Sequence, residues 1–141
     1  MNIKWINNTK TVDWNALSNL YKIAPLGEKS AEALEIVFNN SMFMYFIYDS
    51  KKLIGAGRAL ADGVDCSYIC DVAIHPEYQA KGLGKEMVQR LIEDSKGHAK
   101  IILYTVPKKE DFYSKFGFSK MNTAMAIFKN QNLARDMGLV E

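Results

Sequence analysis

The spacing of hydrophobic residues changes along this chain, and its first forty residues show mainly helical spacing. Residues 13–24, DWNALSNLYKIA, carry apolar side chains three and four positions apart behind Asp13, a residue type that favours helix N-caps. Ser30 can cap a second helix that extends to about Asn40. A short apolar run, IKWI at 3–6, precedes both helices and predicts a first strand.

Three apolar runs follow, each bounded by turn residues. They occupy residues 42–49, 53–61 and 66–74, with the polar turns DSKK and DGVD between them. Short apolar runs joined by such turns are typical of hairpins. The pattern therefore predicts an antiparallel meander of three strands.

Helical spacing returns after the meander and then alternates with strand-like runs. Apolar residues at 83, 87, 88, 91 and 92 share one helical face, and Gly97 fits the end of that helix. Strands are predicted at 99–106 and 124–129, with a short helix over 109–118 between them. No repeat or linker interrupts this order, so we expect a single α/β domain over residues 1–141.

Composition and charge narrow the class of protein. Of 141 residues, 48% are apolar and 24% are charged, which is ordinary for a globular domain. The net charge is only +2 and the lysines are scattered, so we expect no nucleic-acid partner. No apolar run approaches the roughly 18 residues of a membrane span, and the start, MNIKWINNTK, lacks a secretory signal. We expect no membrane partner and a cytoplasmic location.

The two cysteines predict neither a disulfide nor a metal site. Cys66 and Cys70 lie on one predicted strand, where a four-residue separation corresponds to about 13 Å, too far for a disulfide. Two thiols and the nearby His75 fall short of a zinc ligand set. We expect free thiols in a reducing compartment and no metal.

The stretch HPEYQAKGLGKEM, residues 75–87, has two glycines where a helix should begin. Glycine costs roughly 1 kcal/mol relative to alanine inside a helix, so the placement indicates that the backbone itself is needed. The unpaired N–H groups of a helix N-terminus bind phosphate, and glycines let its oxygens approach. A P-loop is excluded because Glu86 follows Lys85, and a dinucleotide fingerprint because its third glycine is replaced by Met87.

Two motifs about thirty residues apart resemble one known family. The loop reads Gln79-x-x-Gly82-x-Gly84, and DFYSKFGF at 111–118 follows after a helix and a strand. Together they resemble the GCN5-related N-acetyltransferase (GNAT) superfamily. The resemblance implies an α/β GNAT fold, with a mixed sheet of six to seven strands flanked by about four helices. It also implies acetyl-CoA as cosubstrate.

The resemblance assigns coenzyme contacts mainly to the backbone. Main-chain groups of the strand before the loop would pair with the pantetheine arm, amides of the loop would hold the pyrophosphate, and one aromatic residue of the later motif would contact the coenzyme. These residues are Val72, Ala73 and Ile74 on the strand, Gln79, Ala80, Lys81, Gly82, Leu83, Gly84 and Lys85 in the loop, and Phe112.

Two side chains are candidates for proton transfer. The resemblance places Tyr113 beside the coenzyme sulfur as the general acid; its alternative role is that of a core aromatic. Asp71 is the carboxylate on the strand before the loop and the candidate base. A structural Asp71 and a water chain that accepts the proton remain the alternatives.

The acceptor is the least determined part of the prediction. We expect a primary amine, with a protein lysine or N-terminus, or coenzyme binding without turnover, as alternatives. Asp62, Asp65 and Asp71 would suit a cationic amine, although solvated turns are the commoner explanation. Relatives are often dimers, so a homodimer is a further expectation. The apolar residues in 130–141 predict that this tail packs on the body or on a second subunit.

Overall fold

The first 103 residues form a five-stranded sheet in sequential order. The computed structural model describes residues 1–141, which divide into two units, 1–103 and 104–141. Strands β1 to β4 are antiparallel neighbours, whereas β5 runs parallel to β4. The elements of the first unit are β1 (Ile3–Ile6), α1 (Trp14–Ile23), α2 (Ala31–Asn39), β2 (Phe43–Asp49), β3 (Lys52–Ala61), β4 (Cys66–Ile74), α3 (Leu83–Asp94) and β5 (Lys100–Ile102).

The predicted helix caps are present. The Asp13 carboxylate accepts hydrogen bonds from the amides of Asn15 and Ala16 at 3.0 and 3.1 Å, which fixes the start of α1. Ser30 Oγ accepts from the amide of Ala33 at 3.1 Å and begins α2 in the same way. These bonds confirm both helix starts.

Helices pack on both faces of the sheet. A buried cluster joins α1 and α2 to one face, and it includes Tyr21, Phe38 and Phe46. On the other face α3 lies so close to β3 that a Cβ built at Gly57 would be 2.9 Å from Met87 Sδ. A side chain at position 57 would therefore force the Met87 side chain to shift.

The second unit contains two short helices, α4 (Glu110–Ser114) and α5 (Gln131–Asp136). The helix α4 lies within the predicted range 109–118, whereas α5 was not predicted. Ala134 of α5 is buried, with 3% of its surface exposed, and the carboxamide oxygen of Asn130 caps this helix by accepting from the amide of Leu133. The tail is thus helical and partly buried. The single domain over 1–141 stays a prediction.

The α/β class is confirmed, but the predicted number of strands is wrong. The sheet has five strands where six to seven were expected, and β5 covers only part of the predicted 99–106. The run 124–129 forms no strand; Met125 and Ile127 are 96% and 95% exposed. Apolar composition favours a strand only where a neighbouring strand supplies the hydrogen bonds. No helix combines the length and apolar character needed to cross a lipid bilayer.

Candidate functional site

Strand β4 separates from β5 after three paired residues. The parallel register joins Cys66, Ser67 and Tyr68 to β5 and ends there, while β4 continues to Ile74 beside β3. From residue 69 onward, the edge of β4 that faces away from β3 therefore has no strand partner. The predicted coenzyme residues Val72, Ala73 and Ile74 lie on this open edge, where an extended ligand can bind main-chain groups as an added strand would.

A β-bulge at Asp71 lies at the start of this edge. In the register with β3, Arg58 pairs with Cys70 and Ala56 with Ala73, so that two residues of β4 oppose one of β3. Asp71 is the residue with left-handed backbone, at φ 57°. Aspartate tolerates this conformation better than most residues, but it still requires support from its surroundings.

Side chains from three other segments hold the bulge. Tyr21 Oη of α1 donates to the Asp71 carbonyl oxygen at 2.6 Å, and Arg58 Nε of β3 donates to Asp71 Oδ2 at 2.8 Å. Lys29 Nζ lies 3.7 Å from Asp71 Oδ1, an ion pair without a direct hydrogen bond. Arg58 is itself fixed, because its Nη1 donates to Ser41 Oγ at 3.2 Å. The candidate base is therefore held in place through both its backbone and its side chain.

Burial keeps one phenol group and one thiol group near the bulge protonated. Burial, followed by the charge of Asp71, raises the pKa of Tyr21 well above its ordinary value, so this phenol is a permanent donor. Burial likewise raises the pKa of Cys70 to about 11. A neutral thiol is a poor nucleophile. Cys70 is therefore unsuited to carrying an acetyl group.

Side-chain hydrogen bonds connect the loop after β4 to strands of the sheet, ahead of the first residue of α3. Gln79 Nε2 donates to the Ile74 carbonyl oxygen at 3.1 Å, which joins the loop to the end of the open edge. Tyr78 Oη donates to Asp49 Oδ2 at 2.6 Å, and the amide of Glu77 donates to His75 Nδ1 at 3.1 Å. The Gln79 side chain thus orders the loop, whereas the family resemblance had assigned only its backbone a role.

Backbone amides line the turn into α3. The first amide to donate into this helix is that of Glu86, to Gly82 O at 3.0 Å. No backbone carbonyl accepts from the amides of residues 80–85. Ala80 and Gly82 have left-handed backbone, with φ of 62° and 85°, and such turns gather N–H groups into a concave anion site. The exposed side chains of Lys81 and Lys85 flank it.

The predicted acidic acceptor region is occupied by structural contacts. Asp62 Oδ1 accepts from the amides of Val64 and Asp65 in the β3–β4 turn. The Asp65 carboxylate pairs with Lys100 at 2.9 Å. Asp62 therefore has the turn role that was the alternative for these carboxylates, whereas Asp65 forms an ion pair with a residue of β5.

The remaining candidates, Phe112 and Tyr113, lie together on α4 in the second unit. Their rings meet edge to face with centroids 5.0 Å apart, and Tyr113 also contacts Phe118 at 6.2 Å. Burial raises the pKa of Tyr113 above its ordinary value of 10.0. The phenol is therefore protonated at neutral pH and able to donate a proton.

In the first unit, the structure brings together the candidate base, the open edge and the loop. It also adds hydrogen bonds from Tyr21 and Arg58 to Asp71, which the sequence did not predict. Their contacts with Asp71 bridge 50 and 13 positions of the chain, and no local pattern encodes such a pairing. The available signal was the single charged residue Arg58 inside the apolar run 53–61, where a charge needs a partner.

Comparison with known proteins gives concordant matches. The sequence model of the Acetyltransferase (GNAT) family matches residues 10–118. GCN5-related N-acetyltransferase 1, chloroplastic, of Arabidopsis thaliana is 29% identical over 114 residues, covering 78% of this chain but only 58% of that protein. An uncharacterized N-acetyltransferase ycf52 of Pyropia yezoensis is 29% identical over 122 residues, covering 82% of this chain and 70% of that protein.

A solved structure has the same fold. A protein of unknown function from meticillin-resistant Staphylococcus aureus, described as a probable acetyltransferase, superimposes with a TM-score of 0.79. The two share 24% sequence identity, and the match covers 91% of this chain and 99% of that one.

Proposed function

The chain belongs to the acetyltransferase (GNAT) family, and on that premise we propose that it transfers the acetyl group of acetyl-CoA to the primary amine of a small molecule. The observation that carries the proposal is the continuity of the open edge of β4 with the amide-lined turn into α3. A ligand that fits this surface has an extended arm, which can pair with the open edge, and an anionic pyrophosphate, which can accept from the amides of the turn. Acetyl-CoA has that chemistry, with its main-chain partners at 72–74 and its phosphates at 79–85.

Direct attack in a ternary complex is the proposed mechanism. The amine nitrogen attacks the acetyl carbon, the carbon–sulfur bond breaks, and the products are an amide and the coenzyme thiol. The protonated state of Cys70, with a pKa of about 11, supports this route over an acetyl-cysteine intermediate. The amine must reach the site in its neutral form.

Two proton transfers complete the reaction. Tyr113 donates a proton to the departing thiolate, an assignment that rests on the family resemblance and is supported by its protonated state. Asp71 accepts the proton that the amine loses. Its Oδ1, which lies beyond hydrogen-bond distance of Lys29 Nζ at 3.7 Å, is the better placed oxygen because Oδ2 already accepts from Arg58. Water remains the alternative acceptor.

Thiol release from acetyl-CoA tests the proposal. The purified full chain is given acetyl-CoA with polyamines, arylalkylamines, aminoglycosides and peptides in turn, and a melting curve with acetyl-CoA alone measures binding. Turnover with a small amine supports the proposal. Turnover with peptides only would indicate a protein acetyltransferase, and a melting shift without turnover a coenzyme-binding module. If no acceptor reacts and no shift is seen, acetyl-CoA is not the ligand.

The compartment and oligomeric state belong to the same set of proposals. Three relatives carry the word chloroplastic in their names, and we keep the cytoplasm as the proposed location of this chain. A homodimer is likewise proposed, and sedimentation of the purified protein measures it.

A further inference from the structure

We propose that Tyr21 is a positioning residue for acetyl transfer, acting through the bulge at Asp71. The proposal rests on the proposed function for its catalytic consequence, but its structural part stands independently. In the hydrogen bonds of the structure Tyr21 contacts neither residues 72–74 nor the loop that follows them. Its hydroxyl reaches the backbone carbonyl of Asp71 across the sheet face, 2.6 Å away.

The bulge has a backbone conformation that surrounding residues must stabilise. A non-glycine residue with φ of 57° persists only when the surrounding structure determines it. The Tyr21 hydroxyl bonds the backbone of Asp71, and Arg58 bonds its carboxylate at 2.8 Å. Tyr21 is fully buried, at 0% exposure, so its ring cannot swing away to solvent. The two contacts act on different parts of one residue, so they restrain both its backbone and its side chain.

The bulge determines what the open edge presents. An inserted residue changes which main-chain groups beyond it face β3 and which face away. Residues 72–74 come directly after the bulge and run to the carbonyl of Ile74, which Gln79 binds at 3.1 Å. A bulge that relaxes would therefore misalign the proposed coenzyme contacts and the Asp71 carboxylate together.

A matched pair of substitutions separates this role from simple stabilisation. Tyr21→Phe removes the hydroxyl that binds the Asp71 carbonyl. Tyr45→Phe removes another poorly exposed tyrosine hydroxyl, whose 2.6 Å bond goes to Asp94 Oδ2 at the far end of α3 from the loop. Both variants lose one hydrogen bond of the same length, so the melting temperature is expected to fall in both. Only Tyr21→Phe is expected to affect the bulge.

The first readout is turnover at saturating acetyl-CoA with an acceptor found by the panel. We expect kcat of Tyr21→Phe to fall by about 10- to 100-fold, because small misplacements of reacting groups cost up to about 10²-fold. The kcat of Tyr45→Phe should stay within about twofold of the parent. Ser41→Ala, which removes the acceptor of Arg58 Nη1 together with a hydrogen bond to the Val37 carbonyl, should lower kcat less than Tyr21→Phe does. Equal kcat values in the two tyrosine variants would overturn the proposal.

The second readout does not depend on turnover. Amide hydrogen exchange over residues 71–74 should be faster in Tyr21→Phe than in the parent, and unchanged there in Tyr45→Phe. Faster exchange in a protein without acetyltransferase activity would overturn the proposed function and leave the positioning of the bulge intact. Unchanged exchange in a folded Tyr21→Phe variant would overturn the positioning role itself. Failure of Tyr21→Phe to fold, with Tyr45→Phe folded, would assign Tyr21 a general structural role and overturn the proposal.

Discussion

Gly82 and Gly84 lie two residues apart at the start of α3, but only Gly82 has a backbone conformation that favours glycine. Its φ is 85°, whereas Gly84 is outside the left-handed region. A Cβ built at Gly84 would meet only Ile74 Cγ1, at 3.7 Å, an ordinary contact. The backbone conformation therefore explains why position 82 is a glycine. It does not explain the glycine at position 84, for which the close approach of a ligand is the remaining reason.

This difference makes Gly84 the sharper test of the coenzyme loop. A ligand specific for the native state adds about 2.7 kcal/mol at 100 times its dissociation constant. We expect Gly84→Val to remove most of the melting shift produced by acetyl-CoA, because its branched side chain covers the amides. Gly84→Ala should lose less of it. Differential scanning fluorimetry with and without acetyl-CoA measures both.

The control for this experiment is Gln89→Val on an exposed position of the same helix. It introduces the same β-branched residue away from the amides. Its melting shift with acetyl-CoA should equal that of the parent. A full shift in Gly84→Val would contradict the assignment of the loop.

Asp71 can be tested as the base without disturbing its backbone. Asparagine tolerates positive φ as aspartate does, and its side-chain oxygen can still accept from Arg58, so Asp71→Asn retains the two hydrogen bonds to the bulge while it removes the proton acceptor. We expect kcat to fall by about 10²-fold or more, within the range of general base contributions. A kcat within about threefold of the parent would assign the proton to water instead.

The sequence predicted the first unit well because its signals there are local. The side chains of Asp13 and Ser30 cap their helices by accepting hydrogen bonds from amides two or three positions further along the chain. The meander follows from two short polar turns. The loop motif was recognisable because its glycines and Gln79 lie within six positions. Each of these features depends on near neighbours in the chain, which a sequence pattern records.

The missed features depend on distant partners or on weak signals. Strand propensity at 124–129 was real, but a strand needs a neighbouring edge that the residues themselves do not specify. The Tyr21–Asp71 bond joins residues 50 positions apart. The helix α5 had a detectable signal, since Asn130 is a good N-cap and Gly138, with φ of 75°, follows the helix end. Its six residues make fewer than two turns, too few for apolar spacing to predict a helix.

The helix α5 offers a prediction on the second unit. Ala134 is 3% exposed, so Ala134→Asp would bury a carboxylate without a partner. We expect it to destabilise the protein by about 1–3 kcal/mol. Asn132→Asp is the control, because it adds the same charge on the same helix and retains an acceptor for Arg135 Nη1. Urea unfolding measures both, and equal midpoints for the two variants would contradict the packing of α5.

The last prediction concerns Tyr113 as the general acid. Tyr113→Phe keeps the ring contacts with Phe112 and Phe118 and removes only the hydroxyl. If the phenol donates to the thiolate, kcat should fall by about 10²–10⁴-fold, while the dissociation constant of acetyl-CoA stays near that of the parent. A purely structural tyrosine would instead give a modest change in melting temperature with turnover intact. Tyr45→Phe serves again as the control for loss of a tyrosine hydroxyl.

The pH profile supplies an independent measurement of the same role. A general acid must be protonated, so activity is lost as the pH rises through its pKa. Because burial raises the pKa of Tyr113 above 10.0, this group should produce no falling limb of kcat below about pH 10. A falling limb nearer neutrality that disappears in Tyr113→Phe would contradict the raised pKa. A kcat of Tyr113→Phe within about threefold of the parent, with chemistry limiting turnover, would remove Tyr113 as the acid. The thiolate would then take its proton from water or from the attacking amine.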